Sequence, residues 1–151
     1  MKRTELISAA RVHLGVGWSH MGRDKINGLD CGGFLFEIAK TFDIPYVDHK
    51  GWYSMLPDGK TLVEMLRTNL VEVERDSYQV GSIIVCGMVR GAPTGHAQDF
   101  PQHVMMVTQL DPVKIIHSCN KPSMMAVVEH IIPPKWLRDT SNTFEFPGVE
   151  D

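Results

Sequence analysis

A chain of 151 residues is long enough to bury a sizeable core without disulfide or metal staples, and it reads as one domain spanning 1–151. A formal charge of −3, with no Lys/Arg-rich run, gives no footing for nucleic acid or a membrane surface, and no apolar stretch reaches the length of a bilayer span. Three cysteines, an odd number without framework spacing, point to a reducing compartment and to no disulfide.

In chain order, Met1-Lys2-Arg3-Thr4-Glu5 is not followed by a signal-peptide core, so synthesis and folding in a cytoplasm, or delivery by a route other than secretion, are expected. Leu6, Ile7, Ala10 and Leu14 recur at helical spacing and predict a helix over 4–14, stopped by Gly15. Residues 15–23 form a glycine-rich loop that nevertheless carries Trp18, His20 and Arg23, side chains suited to contacts rather than to core. Phe34, Leu35, Ile38 and Phe42 define one face of a helix over 31–42, and Pro45 prevents its continuation. Residues 48–59 read as a connecting loop, and 61–70 as another amphipathic helix packing Leu62, Met65 and Leu66 into the core.

Beyond Tyr78 the pattern changes to short apolar runs. Residues 83–86, 104–107, 114–117 and 126–129 read as strands, with 144–146 a last one. A Gly/Pro-punctuated loop, 87–102, separates the first two and is expected to border a site. Pro133-Pro134-Lys135-Trp136 predicts a short helical turn with proline at its start. Met105, Met106, Met124 and Met125 are read as core. Helices first and a meander of strands after make the fold class α+β.

The stretch Gly28-Leu29-Asp30-Cys31-Gly32-Gly33 carries the chemistry. Asp30 suits the N-cap of the 31–42 helix, because its carboxylate can accept an orphan N–H of the first turn. Cys31 then sits at the positive end of the helix dipole, which favours a thiolate. Gly32 and Gly33 leave room for a substrate backbone to approach the sulfur. A buried structural cysteine beside a glycine turn fits this stretch equally well.

A nucleophilic cysteine needs a base, and the base needs a partner that fixes its tautomer. Residues 109–112 are a tight turn signal, and a hairpin centred on Leu110 sets His103 opposite or nearly opposite His117, side chains on one face. A register slip of one residue would separate them. Cys86, His96, His103, His117 and Cys119 are zinc-ligand types, but neither Cys-x-x-Cys nor His-Glu-x-x-His spacing occurs. No metal or other cofactor is therefore expected, and Cys86 and Cys119 read as small apolar fillers.

Asp30-Cys31-Gly32-Gly33 opening a helix, a strand beginning at His103 and a polar residue on the next strand resemble the NlpC-type papain-like cell-wall cysteine peptidases. The match is closer to their phage branch, encoded with the tail genes of phages and gene-transfer agents, through His20-x-Gly22-Arg23, Pro101-Gln102-His103-Val104, Ile116-His117-Ser118, Val127-Val128-Glu129-His130, Trp136 and Phe144-Glu145-Phe146. The resemblance implies a papain-like NlpC fold with N-terminal helices packed on an antiparallel sheet. It implies Cys31 as nucleophile, His103 as general base and acid, and His117 as the residue orienting His103, with the Cys31 N–H helping to hold the oxyanion. It also implies hydrolysis of peptidoglycan stem peptides at the γ-D-glutamyl–diamino acid bond, carriage on the virion tail, and tail-tip or baseplate proteins as partners.

Trp18, His20, Arg23 and Asp30 are the candidate substrate-binding residues. His20 and Arg23 suit a substrate carboxylate, with internal anchoring of the glycine loop as the other role open to them. Two positions depart from the pattern: Trp18 stands where secreted relatives usually have a tyrosine, and Gly81-Ser82 where many have Gly-Asp. A structural tail-tip protein with little or no activity, and a thiol amidase or acyltransferase, are the alternative functions.

Overall fold

The computed structural model describes residues 1–55, 58–87 and 96–151. Helix α1 (Arg3–Arg11) buries Leu6, Ile7 and Ala10. It is shorter than the 4–14 expected: Gly15 turns the chain at φ +85°, and Leu14 lies outside the helix, 45 % exposed. A two-residue hairpin, β1 (Arg23–Asp24) with β2 (Gly28–Leu29), leads into helix α2 (Cys31–Thr41). Phe34, Leu35, Ile38 and Ala39 of α2 are buried, each larger side chain contributing roughly 1.5–3 kcal/mol of transfer free energy.

Helix α3 (Thr61–Asn69) turns differently from expectation. Val63 and Leu66 enter the core and Leu62 packs half-buried against it, while Leu62 and the half-buried Met65 also line a cleft. Strand β3 (Val71–Val73) follows, then β4 (Ile83–Cys86), β5 (His103–Leu110), β6 (Val113–Ser118) and β7 (Val127–Ile131). Helix α4 (Pro134–Arg138) begins at Pro134, and β8 (Thr140–Glu145) closes the sheet. The sheet order is β3-β8-β4-β5-β6-β7, antiparallel at every described pairing. The expected meander is therefore only β4 to β7: β8 crosses back to pair with β4, and β3 takes the edge beyond it.

One face of the sheet, with Val85, Val104, Met106 and Ile116, packs on α1, α2 and α3. The other, with Ile84, Met105, Val107 and Ile115, is covered by Ile132 and Trp136. Met105 and Met106 are core as expected, but Met124 is half-buried and Met125 45 % exposed. Gly81 (φ +87°) turns the chain before β4, and Ser82 Oγ accepts from the Gln79 N–H at 2.8 Å and donates to Glu145 at 3.2 Å. The same Glu145 receives a bidentate pair from Arg3 at 3.0 and 3.1 Å, joining the first helix to the last strand. Of the 87–102 loop, residues 88–95 lie outside the described residues; the described part contains the 3₁₀ turn Ala97–Asp99. No helix among the described residues is long and apolar enough to cross a membrane.

Candidate active site

Cys31 is the first residue of α2, and Asp30 caps the helix by accepting the Gly33 N–H at 2.7 Å. The same carboxylate accepts the Met21 N–H at 2.9 Å, Arg23 Nη1 at 3.0 Å and the Tyr53 hydroxyl. Arg23 in turn donates to Asp48 at 3.0 Å, to the Gly22 carbonyl at 2.9 Å and to Tyr53 at 2.8 Å. Its side chain is 10 % exposed and that of Asp30 is 6 %. Arg23 and Asp30 thus take the internal role: they anchor the glycine loop and the helix start, and Arg23 is not among the residues lining the cleft.

The two glycines after the cysteine do different work. A Cβ on Gly33 would lie 1.9 Å from the Gly22 carbonyl oxygen, so Gly33 admits the loop, not a substrate. A Cβ on Gly32 would meet nothing closer than 3.6 Å, and it is Gly32 that keeps the cleft open beside the sulfur. From the sheet, Ser118 Oγ donates to the Leu29 carbonyl at 2.6 Å and fixes the approach to Cys31.

The base side is built from three neighbouring strands. His103 opens β5, and its Nε2 lies 2.5 Å from Nδ1 of His117 on β6. His117 Nε2 lies 2.9 Å from Nε2 of His130 on β7, whose Nδ1 is 2.9 Å from the Ile131 carbonyl oxygen. The rings meet edge to face, and Trp136 packs against both His117 and His130. Cys31 and His103 line one cleft, and the backbone amide of Val104, next to His103, bears on the Cys31 sulfur.

Electrostatics reverse the thiolate expectation. The amides of Val104, Gly32 and Cys31 favour the anion, but burial and the charge of Asp30 outweigh them and push the thiol up to about 12. Burial, with Lys121 and His130 adding to it, holds His103 down at about 4. His117 is lowered further, by burial and by its two histidine neighbours. At neutral pH the cleft is therefore lined by a thiol and by a neutral imidazole.

The cleft has a volume of about 1160 Å³. Trp18, His20 and Asp30 are among its lining residues, with His20 edge-on to Tyr53. Lys121 and Lys135 line it too, the Lys121 ammonium lying 4.5 Å above the Trp136 ring. The 48–59 segment, expected to be a mere connection, supplies Trp52, Tyr53 and Met55 to the cleft wall; its residues 56–57 lie outside the described residues. Sequence reasoning missed Tyr53, which brings to the cleft a hydroxyl that Trp18 lacks. It also missed His130 as a member of the histidine array, although one alternation step from Val128 to His130 on β7 was there to be read.

At the sequence level, no family model and no curated protein matches the chain. Solved structures do. An NlpC/P60 family protein from Bacillus cereus superposes with a TM-score of 0.66 at 21 % identity, over 95 % of this chain and 40 % of that one. The NlpC/p60 domain of the peptidoglycan hydrolase SagA gives 0.63 at 14 %, over 97 % of this chain and 100 % of that domain. RipD of Mycobacterium tuberculosis, a non-catalytic NlpC/p60 protein adapted to peptidoglycan binding, gives 0.54 at 13 %, over 96 % of each chain. These likenesses define the fold as that of the NlpC/P60 domains, in agreement with the expected α+β papain-like architecture. Against the first of these structures the chain spans about 40 % of the length. Both a hydrolase and a non-catalytic binder carry this fold, so activity must be argued from the site.

Proposed function

We propose that this chain is a cysteine peptidase that hydrolyses peptidoglycan stem peptides. The observation that carries the reading is the meeting, in one cleft, of a cysteine at a helix N-terminus, a histidine on the facing strand and a second histidine 2.5 Å from the first. His103 takes the thiol proton as the Cys31 sulfur attacks the amide carbonyl, and first-turn N–H groups of α2 face the developing oxyanion. Collapse of the adduct breaks the C–N bond, with His103 returning the proton to the leaving amine. Water, deprotonated by His103, then cleaves the thioester and restores the thiol.

The bond we assign is the γ-D-glutamyl–diamino acid link, on the strength of the motif resemblance. The cleft suits such a substrate, being apolar along Leu62, Met65 and Trp136 yet carrying Lys121 and Lys135 for substrate carboxylates. Mass spectrometry of purified stem peptides incubated with the wild type and with Cys31→Ala tests this. Cleavage by the wild type alone is expected and names the bond; intact peptides together with a Cys31 inert to alkylation overturn the reading.

We further propose carriage on a phage tail, with tail-tip or baseplate proteins as partners, supported by the resemblance of residues 20–31 to that branch. Proteomics of purified particles is expected to find the chain in the tail; its confinement to host cytosol overturns this part.

A further inference from the structure

The two-histidine arrangement leaves one question of chemistry open: which nitrogen of each ring carries its proton. A neutral imidazole donates from one nitrogen and accepts at the other. The array ends on the Ile131 carbonyl, and a carbonyl oxygen only accepts, so His130 carries its proton on Nδ1. His130 Nε2 is then an acceptor, and the 2.9 Å contact requires the proton on Nε2 of His117. His117 Nδ1 is left as an acceptor in its turn, and the 2.5 Å contact places the His103 proton on Nε2. The remaining nitrogen, Nδ1 of His103, has a lone pair in a ring that lines the cleft with Cys31. One backbone carbonyl thus dictates three tautomers in sequence.

We propose that His130 is a positioning residue for the thiol chemistry: anchored on Ile131, it fixes the tautomer of His117 and through it makes Nδ1 of His103 the base. This rests on the peptidase reading but adds a residue and a direction of hydrogen bonding to it. Burial keeps His103 and His117 neutral, as the tautomer argument requires. The spacing is a property of the sheet. His117 pairs with Val128 and Ile115 with His130, so His117 and His130 are diagonal neighbours on one face, within reach of ring side chains.

The consequence of removing His130 follows directly. Without an acceptor, the buried Nε2–H of His117 is orphaned, and the ring moves its proton to Nδ1, where it meets the Nε2–H of His103. His103 must then shift its own proton to Nδ1 and can no longer accept from Cys31. His130→Phe keeps a ring against His117 and Trp136 and removes the acceptor. His130→Gln places an amide oxygen near the position of Nε2.

The test records imidazole ¹⁵N shifts and the rate of Cys31 alkylation by iodoacetamide for the wild type and both variants. Expected are Nε2–H at His103 and His117 with Nδ1–H at His130 in the wild type, inversion of the first two in His130→Phe, and the wild-type pattern in His130→Gln. Alkylation is expected to slow about tenfold or more in the Phe variant and to stay near the wild-type rate in the Gln variant. Nδ1–H at His103 in the wild type overturns the proposal by itself, as does a Gln variant as slow as the Phe variant. If stem peptides are not cleaved by the wild type, the function falls, while the ¹⁵N pattern still decides the role of His130.

Discussion

His103 reaches His117 across the β5–β6 hairpin on a diagonal, not from the directly opposite position. Beyond the turn, Leu110 pairs with Val113 and Gln109 with Lys114, a register that carried through would put His103 and His117 on opposite faces of the sheet. The pairing shifts between Val107 and Gln109, so that Val107 meets Ile115 and Met106 meets Ile116. That one-residue bulge at Thr108 restores the parity and leaves the two histidines on the same face, two residues out of direct opposition. The contact should therefore respond to the chemistry of residue 117. His117→Ala is expected to lower kcat/KM on a stem peptide about a hundredfold or more, and His117→Asn, whose amide oxygen can still accept from His103, to lose much less.

Burial of neutral histidines makes stability depend on pH with a definite sign. His103 has a folded-state value near 4 against about 6.5 when exposed, so below pH 6.5 the unfolded chain binds more protons than the folded one. Stability is therefore lost as pH falls from 6.5 towards 4, by on the order of 3 kcal/mol from this residue. Urea midpoints measured from pH 8 to pH 4 should decline across that window and decline less in His103→Asn. A flat profile would mean that the array is already charged in the folded protein.

The glycines of the helix start predict opposite outcomes for the same substitution. Gly33→Ala drives a methyl against a backbone carbonyl and should prevent folding or cost several kcal/mol in urea. Gly32→Ala has no such clash and gains helix propensity of about 1 kcal/mol, so stability should hold or rise while peptide turnover falls because the cleft is narrowed.

Arg23 and Tyr53 are expected to report as anchors. Removing Arg23 leaves Asp30 buried without its main counter-charge, which typically costs about 3–5 kcal/mol, and Tyr53→Phe orphans an Arg23 donor at roughly 1–3 kcal/mol. Chemical denaturation checks both. An unchanged midpoint for Arg23→Ala with a raised KM would instead make Arg23 a substrate ligand.

Much of this architecture was written locally. The cap at Asp30, the apolar face of α2, the run from Ile83 to Cys86 and the proline start of α4 depend on neighbours a few residues away, and the structure agrees with each. What escaped was set at long range. The bulge at Thr108 is a matter of pairing between strands, and the placing of β8 between β3 and β4 is a crossover that no local pattern encodes. Leu62 and Met65 have core-like side chains, yet both stay half-buried and line a cleft. Arg23 stayed open between ligand and anchor because a guanidinium in a glycine loop carries the same signature whether its carboxylates are internal or brought by a substrate.

Cys31 and His103 reach one cleft from segments more than sixty residues apart, joined near the site by the hydrogen bond from Ser118 to Leu29. Neither the segment up to Thr41 nor the strands from His103 onward holds a reactive pair alone. Docking of helix on sheet is what buries the Cys31 thiol and brings it into one cleft with His103, so the rate of its alkylation changes at that step and times the final assembly of the chain.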